Sequence, residues 1–302
     1  MPKADLTTGV AIAYDHAGAG GFPLLLVHGW PETRRIWSRN VDALAQAGFE
    51  VIAPDLRGFG DSGLAPDERY DAAAHARDMQ ALLEHLGHDR CVVSAGDLGG
   101  VVAQDLSLRF EGLVERMVLF NTIAPFLPAE YEAAGLGKAP PVNPQTSDYF
   151  VRQSRDADGL AAELDSPERR RAYVAQMYGP RLWGGPAAFS PEEIAWLAEP
   201  FGDAESFRAS IANYEYVGGA RKAPEPPRML ERNPTPALVL YGPEDHVIPS
   251  DFPRRMEVAF PEIVGPFVVA GAGHFLMWEA ARAFNRATRY FCLDLLTQSP
   301  AQ

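Results

Sequence analysis

The sequence predicts an α/β protein: a mostly parallel sheet flanked by helices and interrupted by a mainly helical insertion. Three observations carry this. Apolar runs of strand length alternate with stretches of helical spacing up to Ile123. The alternation stops there, where Ala124-Pro125-Phe126-Leu127-Pro128 opens a proline-rich connection, and it resumes at Ala237. Within the first part, Ser94-Ala95-Gly96-Asp97-Leu98-Gly99-Gly100 lies between the apolar Cys91-Val92-Val93 and a helical stretch from Val101 to Phe110. Strand, sharp turn and helix form an elbow that lifts one residue above a sheet edge.

Val10 to Tyr14 alternates and reads as an early strand. Pro23 to Val27 is apolar throughout, the mark of a strand buried on both faces, and it enters His28-Gly29-Trp30-Pro31. A helix is expected from about Glu32 to Ala47. Phe49 to Ala53 is the next strand, leading into the glycine-rich turn Asp55 to Ser62. Ala72 to Leu86 has helical spacing and ends at Gly87. After the elbow come strands at Val114–Phe120, Ala237–Tyr241 and Pro266–Ala270, then a last helix from about Leu276 to Leu296. The connection after Ile123 reaches about Ser147 and gives way to a mostly helical region. Residues 125–222 therefore read as a cap inserted into one sheet domain made of residues 1–124 and 223–302. Strand-helix alternation implies right-handed crossovers, and ligands in such sheets sit beyond the carboxyl ends of the strands.

The 302 residues are 47% hydrophobic and 22% charged, ordinary for a globular protein. A net charge of −13 argues against nucleic acid, whose phosphates require a basic face, and against an anionic membrane surface. Cys91 and Cys292 sit in apolar runs and read as small core residues in a reducing compartment. Met1 to Val10 shows no secretory pattern and no apolar run approaches a membrane span, so a cytoplasmic location is expected.

The residue at the elbow tip is Asp97 rather than Ser or Cys. A carboxylate is ionised at neutral pH and attacks without a base. The elbow therefore suggests alkyl transfer onto a carboxylate, with Ala95 and Gly99 as the small residues that allow the bend. Asp245 follows the strand Ala237–Tyr241 and His274 follows Pro266–Ala270, giving the order nucleophile, acid, base. Glu244 and Asp251 stand as alternatives to Asp245. His274 is the candidate base, while His28 is expected to hold a turn together and His16, His75, His85 and His88 to be solvated. The backbone amides of Trp30 and Leu98 are expected to form an oxyanion hole. Pro31 fixes its own φ and stiffens that turn.

These residues resemble the α/β-hydrolase fold and, within it, the soluble epoxide hydrolases, over nearly the whole chain. His28-Gly29-Trp30-Pro31 looks like the family's His-Gly-aromatic-Pro turn, and Asp55 to Ser62 resembles its Asp-x-Arg-Gly-x-Gly-x-Ser turn. Gly96-Asp97-Leu98-Gly99-Gly100 is similar to its nucleophile loop, and Ala124 to Ala129 looks like its cap entry. In that family two cap tyrosines hold the epoxide oxygen. Asn143-Pro144 followed by Asp148-Tyr149-Phe150 marks one, and Phe207-Arg208 followed by Tyr214 marks the other, with Tyr216 in reserve. The resemblance implies epoxide hydrolysis to a vicinal diol through an Asp97 ester, with Tyr149 and Tyr214 assisting ring opening and His274 and Asp245 activating water. It implies no metal or organic cofactor, a small apolar epoxide as substrate, and a monomer or homodimer. His28, Pro31, Phe150, Trp183 and Phe275 are expected to line the substrate pocket. Relatives usually carry His before the nucleophile and Trp after it. Gly96 and Leu98 stand there and are expected to widen the pocket. A haloalkane or haloacid dehalogenase shares the nucleophile, but Leu98 offers no side-chain donor to a leaving halide. A catalytically silent binding module is the remaining reading.

Overall fold

The apolar run after Gly21 becomes an inner strand of an eight-stranded sheet in this computed structural model. The structure describes residues 2–138, 140, 144–179, 181, 183–185 and 188–298. In chain order the strands are β1 (Lys3–Asp5), β2 (Ala11–Ala17), β3 (Phe22–Val27), β4 (Phe49–Pro54), β5 (Cys91–Gly96), β6 (Val114–Thr122), β7 (Ala237–Tyr241) and β8 (Ile263–Val268). Their spatial order is β1-β2-β4-β3-β5-β6-β7-β8. β1 and β2 pair antiparallel with their neighbours, and all later pairings are parallel. Leu24, Leu25, Leu26 and Val27 are fully buried, as a strand covered on both faces requires.

Helices α1 (Val41–Gln46), α2 (Ala72–His85) and α3 (Asp97–Arg109) join the strands up to β6. Between β6 and β7 lie α4 (Pro128–Ala133), α5 (Pro144–Arg155), α6 (Ala157–Glu163), α7 (Pro167–Tyr178), α8 (Pro191–Ala198) and α9 (Ala204–Val217), with no strand among the described residues. Asn143 lies outside the described residues. α10 (Phe252–Ala259) follows β7, and α11 (Leu276–Glu279), α12 (Ala281–Phe291) and α13 (Leu293–Gln298) close the chain. Among the described residues no helix is long and apolar enough to cross a membrane. Cys91 and Cys292 are free, buried thiols.

Several local expectations differ from the structure. The helix expected over 32–47 is a 3-10 turn, Arg34–Arg39, followed by α1. Asn40 separates them because its buried amide donates across the fold to the Met277 carbonyl at 3.0 Å and to Asn285 Oδ1 at 2.8 Å. The last helix is three segments, with Ala280 at φ −121° in a non-helical conformation between the first two. β8 begins before Pro266, since an edge strand with a register shift tolerates a residue that lacks an N–H. His75 is fully buried rather than solvated: with Met79 and Leu82 it shares the apolar face of α2.

His28 behaves as a turn-holder. Its Nδ1 lies 2.8 Å from the Gly29 carbonyl and its Nε2 accepts from Leu56 N–H at 3.0 Å, tying the end of β3 to the segment after β4. That pattern requires a neutral ring. Burial, the largest influence, lowers its pKa to about 4, with the Arg34 charge acting in the same direction against the Gly29 bond. The unfolded ring takes up a proton near pH ~6.5, so stability from this site is complete above that pH and is lost as pH falls towards 4. A depression of this size corresponds to about 3 kcal/mol at most. The unfolding midpoint should therefore fall between these pH values, and His28→Leu, though less stable at neutral pH, should show a shallower fall. An unchanged acid slope in the variant would remove His28 from the account.

Candidate active site

The elbow forms where β5 runs into α3, and its tip is strained. Asp97 sits at φ +44°, a left-handed conformation that costs a non-glycine residue about 1–2 kcal/mol. Neighbours hold it there. The Thr122 hydroxyl donates to the Asp97 carbonyl at 2.6 Å. At Gly99 a Cβ would lie 2.3 Å from the Val27 carbonyl oxygen, and at Gly29 a Cβ would lie 2.6 Å from the Asp97 Cβ. Only glycines let the β3 turn and the elbow approach this closely. The approach brings Trp30 N–H to 2.9 Å from Asp97 Oδ1, and Leu98 N–H also bonds the carboxyl group.

The acid and base loops converge on the other carboxyl oxygen. His274 Nε2 lies 3.6 Å from Asp97 Oδ2, and His274 Nδ1 lies 3.0 Å from Asp245 Oδ2. Asp245 Oδ1 accepts from Val247 N–H at 2.7 Å and Ile248 N–H at 3.0 Å, so both of its oxygens are engaged. Glu244 and Asp251 make no bond to His274. Burial lowers the His274 pKa, but the carboxylates of Asp245, Asp97 and Glu32 outweigh it and lift the ring to about 9. Burial raises the Asp97 carboxyl, while the His274 charge and the Trp30 and Leu98 amides pull it back down.

Opposite this group, α5 and α9 present two phenols. The Tyr149 and Tyr214 rings are 5.7 Å apart at 86°, and their hydroxyls bond each other. Burial pushes both pKa values well above the usual tyrosine value, and the Asp97 charge adds to the effect, so both phenols stay protonated. Trp30 stacks on Tyr149 at 5.5 Å and 10° and meets Tyr214 edge-on at 5.6 Å. Tyr216 is on the wall of the same cavity but packs against Ala65 and Tyr70, away from the Trp30 ring that Tyr149 and Tyr214 share.

Asp97, Leu98, Tyr149 and Tyr214 share one cavity of about 1190 Å³ with mostly apolar walls. Of the five residues expected on that wall, the structure places Phe150 there. Four expectations are corrected. His28 is occupied by backbone groups, and the Pro31 carbonyl accepts from the Tyr178 hydroxyl. Trp183 packs behind the site against His274 at 5.2 Å and Tyr149 at 4.8 Å, and Phe275 stacks on Tyr178 at 4.7 Å. Gly96 adds no width either: a Cβ there would lie 2.3 Å from the Phe120 ring, on the side away from the cavity. Leu98 alone of the two elbow departures shapes the wall.

With this geometry in place, comparison with known proteins is informative. A family model described as alpha/beta hydrolase fold matches residues 23–281. The chain belongs to that family. A soluble epoxide hydrolase of Corynebacterium sp. (strain C12) is 41% identical to this chain over 118 residues, 39% of this chain and 40% of the relative. The match thus spans well under half of that relative. A 2-hydroxy-6-oxononadienedioate/2-hydroxy-6-oxononatrienedioate hydrolase of Paraburkholderia phymatum is 27% identical over 309 aligned positions, 96% of this chain and 92% of the relative. Among solved structures, the epoxide hydrolase CorEH without ligand superposes with a TM-score of 0.82 at 26% identity, covering 97% of this chain and 98% of its own.

Three polar residues of the site have no functional role in the sequence reading, which sets Asn121 aside only because an amide cannot serve as the carboxylate. Glu32 Oε2 accepts from Gly29 N–H at 2.6 Å; burial, with Asp97 adding to it, raises its carboxyl to about 7. Glu279 accepts from Gly273 N–H and Phe275 N–H, both at 2.9 Å, on either side of His274. Its acidic character in the apolar run Phe275-Leu276-Met277-Trp278 was the available signal. Asn121, fully buried at φ +37°, donates to the Gly273 carbonyl at 2.7 Å and accepts from Gly242 N–H at 2.9 Å. It thereby clasps the acid loop to the base loop. Asn121→Ala should leave both backbone groups unpaired and cost about 2–4 kcal/mol in urea unfolding. Full stability in the variant would show that the clasp is dispensable.

Proposed function

We propose that this hydrolase opens epoxides to vicinal diols in two steps through an ester on Asp97. The observation that carries the reading is a carboxylate at the elbow sharing one apolar cavity with two mutually bonded, buried phenols. The likeness to a soluble epoxide hydrolase of Corynebacterium and to the epoxide hydrolase CorEH supports it. In this reading residues 125–222 form a cap that lowers Tyr149 and Tyr214 onto the substrate oxygen.

Asp97 Oδ2, the oxygen not held by Trp30, attacks one ring carbon while the carbon–oxygen bond opposite it breaks. The epoxide oxygen takes a proton from the tyrosine pair, which burial keeps protonated until a stronger base, the alkoxide, appears. The ester no longer carries the Asp97 charge that helped to raise His274, so the ring's pKa falls, it releases its proton to solvent and stands as the neutral imidazole for the next step; it takes a proton back from solvent when the Asp97 carboxylate is restored. His274 Nε2 then takes a proton from water, and the hydroxide adds to Asp97 Cγ. The Trp30 and Leu98 amides already bond the carboxyl group and hold the oxyanion. Collapse expels the second diol oxygen, which takes the proton from His274. The new carboxyl group ionises, and its proton restores the tyrosine.

A dehalogenase reading is weaker because the side chains beside Asp97 give a departing halide little support. Leu98 offers only apolar surface, and Trp30 Nε1 is directed to Ser210 Oγ at 3.4 Å.

One turnover of styrene oxide in heavy-oxygen water, with enzyme in excess, should place the label in Asp97 rather than in the diol. Label in the diol would mean that water attacked the epoxide directly. Phe at both 149 and 214 should lower kcat for ring opening by at least ~100-fold, within the usual range for positioned acids. Turnover close to wild type would refute the role of the tyrosines.

A further inference from the structure

The loop that carries His274 does not hold itself. Gly271 lies at φ +78° and Gly273 directly precedes the base, so the backbone between β8 and α11 has little stiffness of its own. Three successive amides are held from outside instead. His274 N–H donates to the Trp183 carbonyl at 2.7 Å. The amides on either side of it both donate to the Glu279 carboxyl group at 2.9 Å, Gly273 to Oε2 and Phe275 to Oε1. Oε2 also accepts from Gly185 N–H at 2.6 Å. Glu279 ends α11, and its own N–H donates to the Phe275 carbonyl at 2.9 Å, so this short turn folds the carboxylate back onto the loop before it. Amide bonds to an ionised acceptor are about twice as strong as those between neutral groups. Packing is close as well: a Cβ on Gly273 would lie 2.7 Å from Gly184 Cα. The His274 ring has to place Nδ1 3.0 Å from Asp245 Oδ2 and Nε2 3.6 Å from Asp97 Oδ2 at the same time. It is joined to the backbone by a single methylene, so the ring goes where the backbone goes.

We infer that Glu279 is a positioning residue for the base: by holding the amides on both sides of His274, its carboxylate sets the ring between Asp245 and Asp97. The inference rests on the epoxide reading only for the step that Glu279 serves. Ring opening uses Asp97 and the phenols, whereas breakdown of the ester needs His274 Nε2 to take a proton from water. A displaced ring therefore slows the second step more than the first. Burial and the carboxylates of Asp245, Asp97 and Glu32 set the proton affinity of the ring, and Glu279 acts on it through the backbone.

The test compares wild type with Glu279→Gln and Glu279→Ala. In the Gln variant the amide oxygen can keep the bonds to Gly185 and Gly273, but its NH2 then meets Phe275 N–H, donor against donor; the Ala variant loses all three bonds. Styrene oxide is reacted with enzyme in excess and quenched at intervals, and the protein mass reads how fast the Asp97 ester forms and decays. The ratio of decay to formation should fall by at least ~10-fold in Glu279→Gln and by ~100-fold in Glu279→Ala, the cost of displacing a reacting group by about an ångström. A folding defect removes active protein and leaves this ratio as it is, so an unchanged ratio in Glu279→Gln overturns the role even if Glu279→Ala does not fold. The second measurement needs no substrate: the His274 Nδ1 proton, followed by NMR, should resonate far downfield in wild type, where Asp245 accepts it, and move upfield in the variants. If wild type forms and breaks the ester and the ratio is unchanged in the variants, the reaction stands and the role of Glu279 falls. If wild type opens no epoxide, the reaction falls and the proton decides alone: its shift in the variants upholds the positioning role, and an unmoved resonance removes it.

Discussion

The hydrogen bond from Trp30 N–H to Asp97 Oδ1, at 2.9 Å, is the contact on which the other features of the site depend. It can form only because two glycines bring the β3 turn against the elbow, and it offsets part of what a buried carboxylate loses on leaving water. It also fixes which oxygen remains free. With Oδ1 held by an amide, Oδ2 faces the His274 ring, and the cavity opens beside it. The left-handed backbone at Asp97 is strain held at a functional position by the surrounding packing.

The charges form a coupled set. Asp97, Asp245 and Glu32 each stabilise a proton on His274, and the ring in turn lowers the Asp97 carboxyl. In the proposed reaction this coupling orders the steps: while Asp97 is ionised the ring favours its proton, and esterification weakens that preference when a base is needed. The phenols sit on the opposite wall, where burial keeps them neutral, so acid and base functions are separated by environment rather than by residue type alone.

Much of the architecture was legible in the sequence because parallel strands covered on both faces leave uninterrupted apolar runs, as Leu24 to Val27 and Val92 to Val93 do. The elbow, the acid and the base follow strand ends and could be placed by order. The cavity wall could not. His28, Pro31, Trp183 and Phe275 are near the site in sequence or in packing, yet which face of a turn meets the cavity is set by contacts such as Leu56 N–H on His28 that no local pattern encodes. Asn121 reads as a strand residue that merely lacks a charge; its bridging of two loops depends on a sequence separation of more than a hundred residues. The burial of His75 was readable from its helical phase with Met79 and Leu82.

Glu279 Oε2 accepts both from Gly273 N–H, next to the base, and from Gly185 N–H in the helical segment, while His274 N–H donates to the Trp183 carbonyl at 2.7 Å. The base loop and the segment holding Trp183 and Gly185 are stitched into one piece. Shifting that segment would drag His274 out of line with Asp97. Phe126 and Val217, exposed side chains on the cavity wall, take no part in that stitching and could move without disturbing the base.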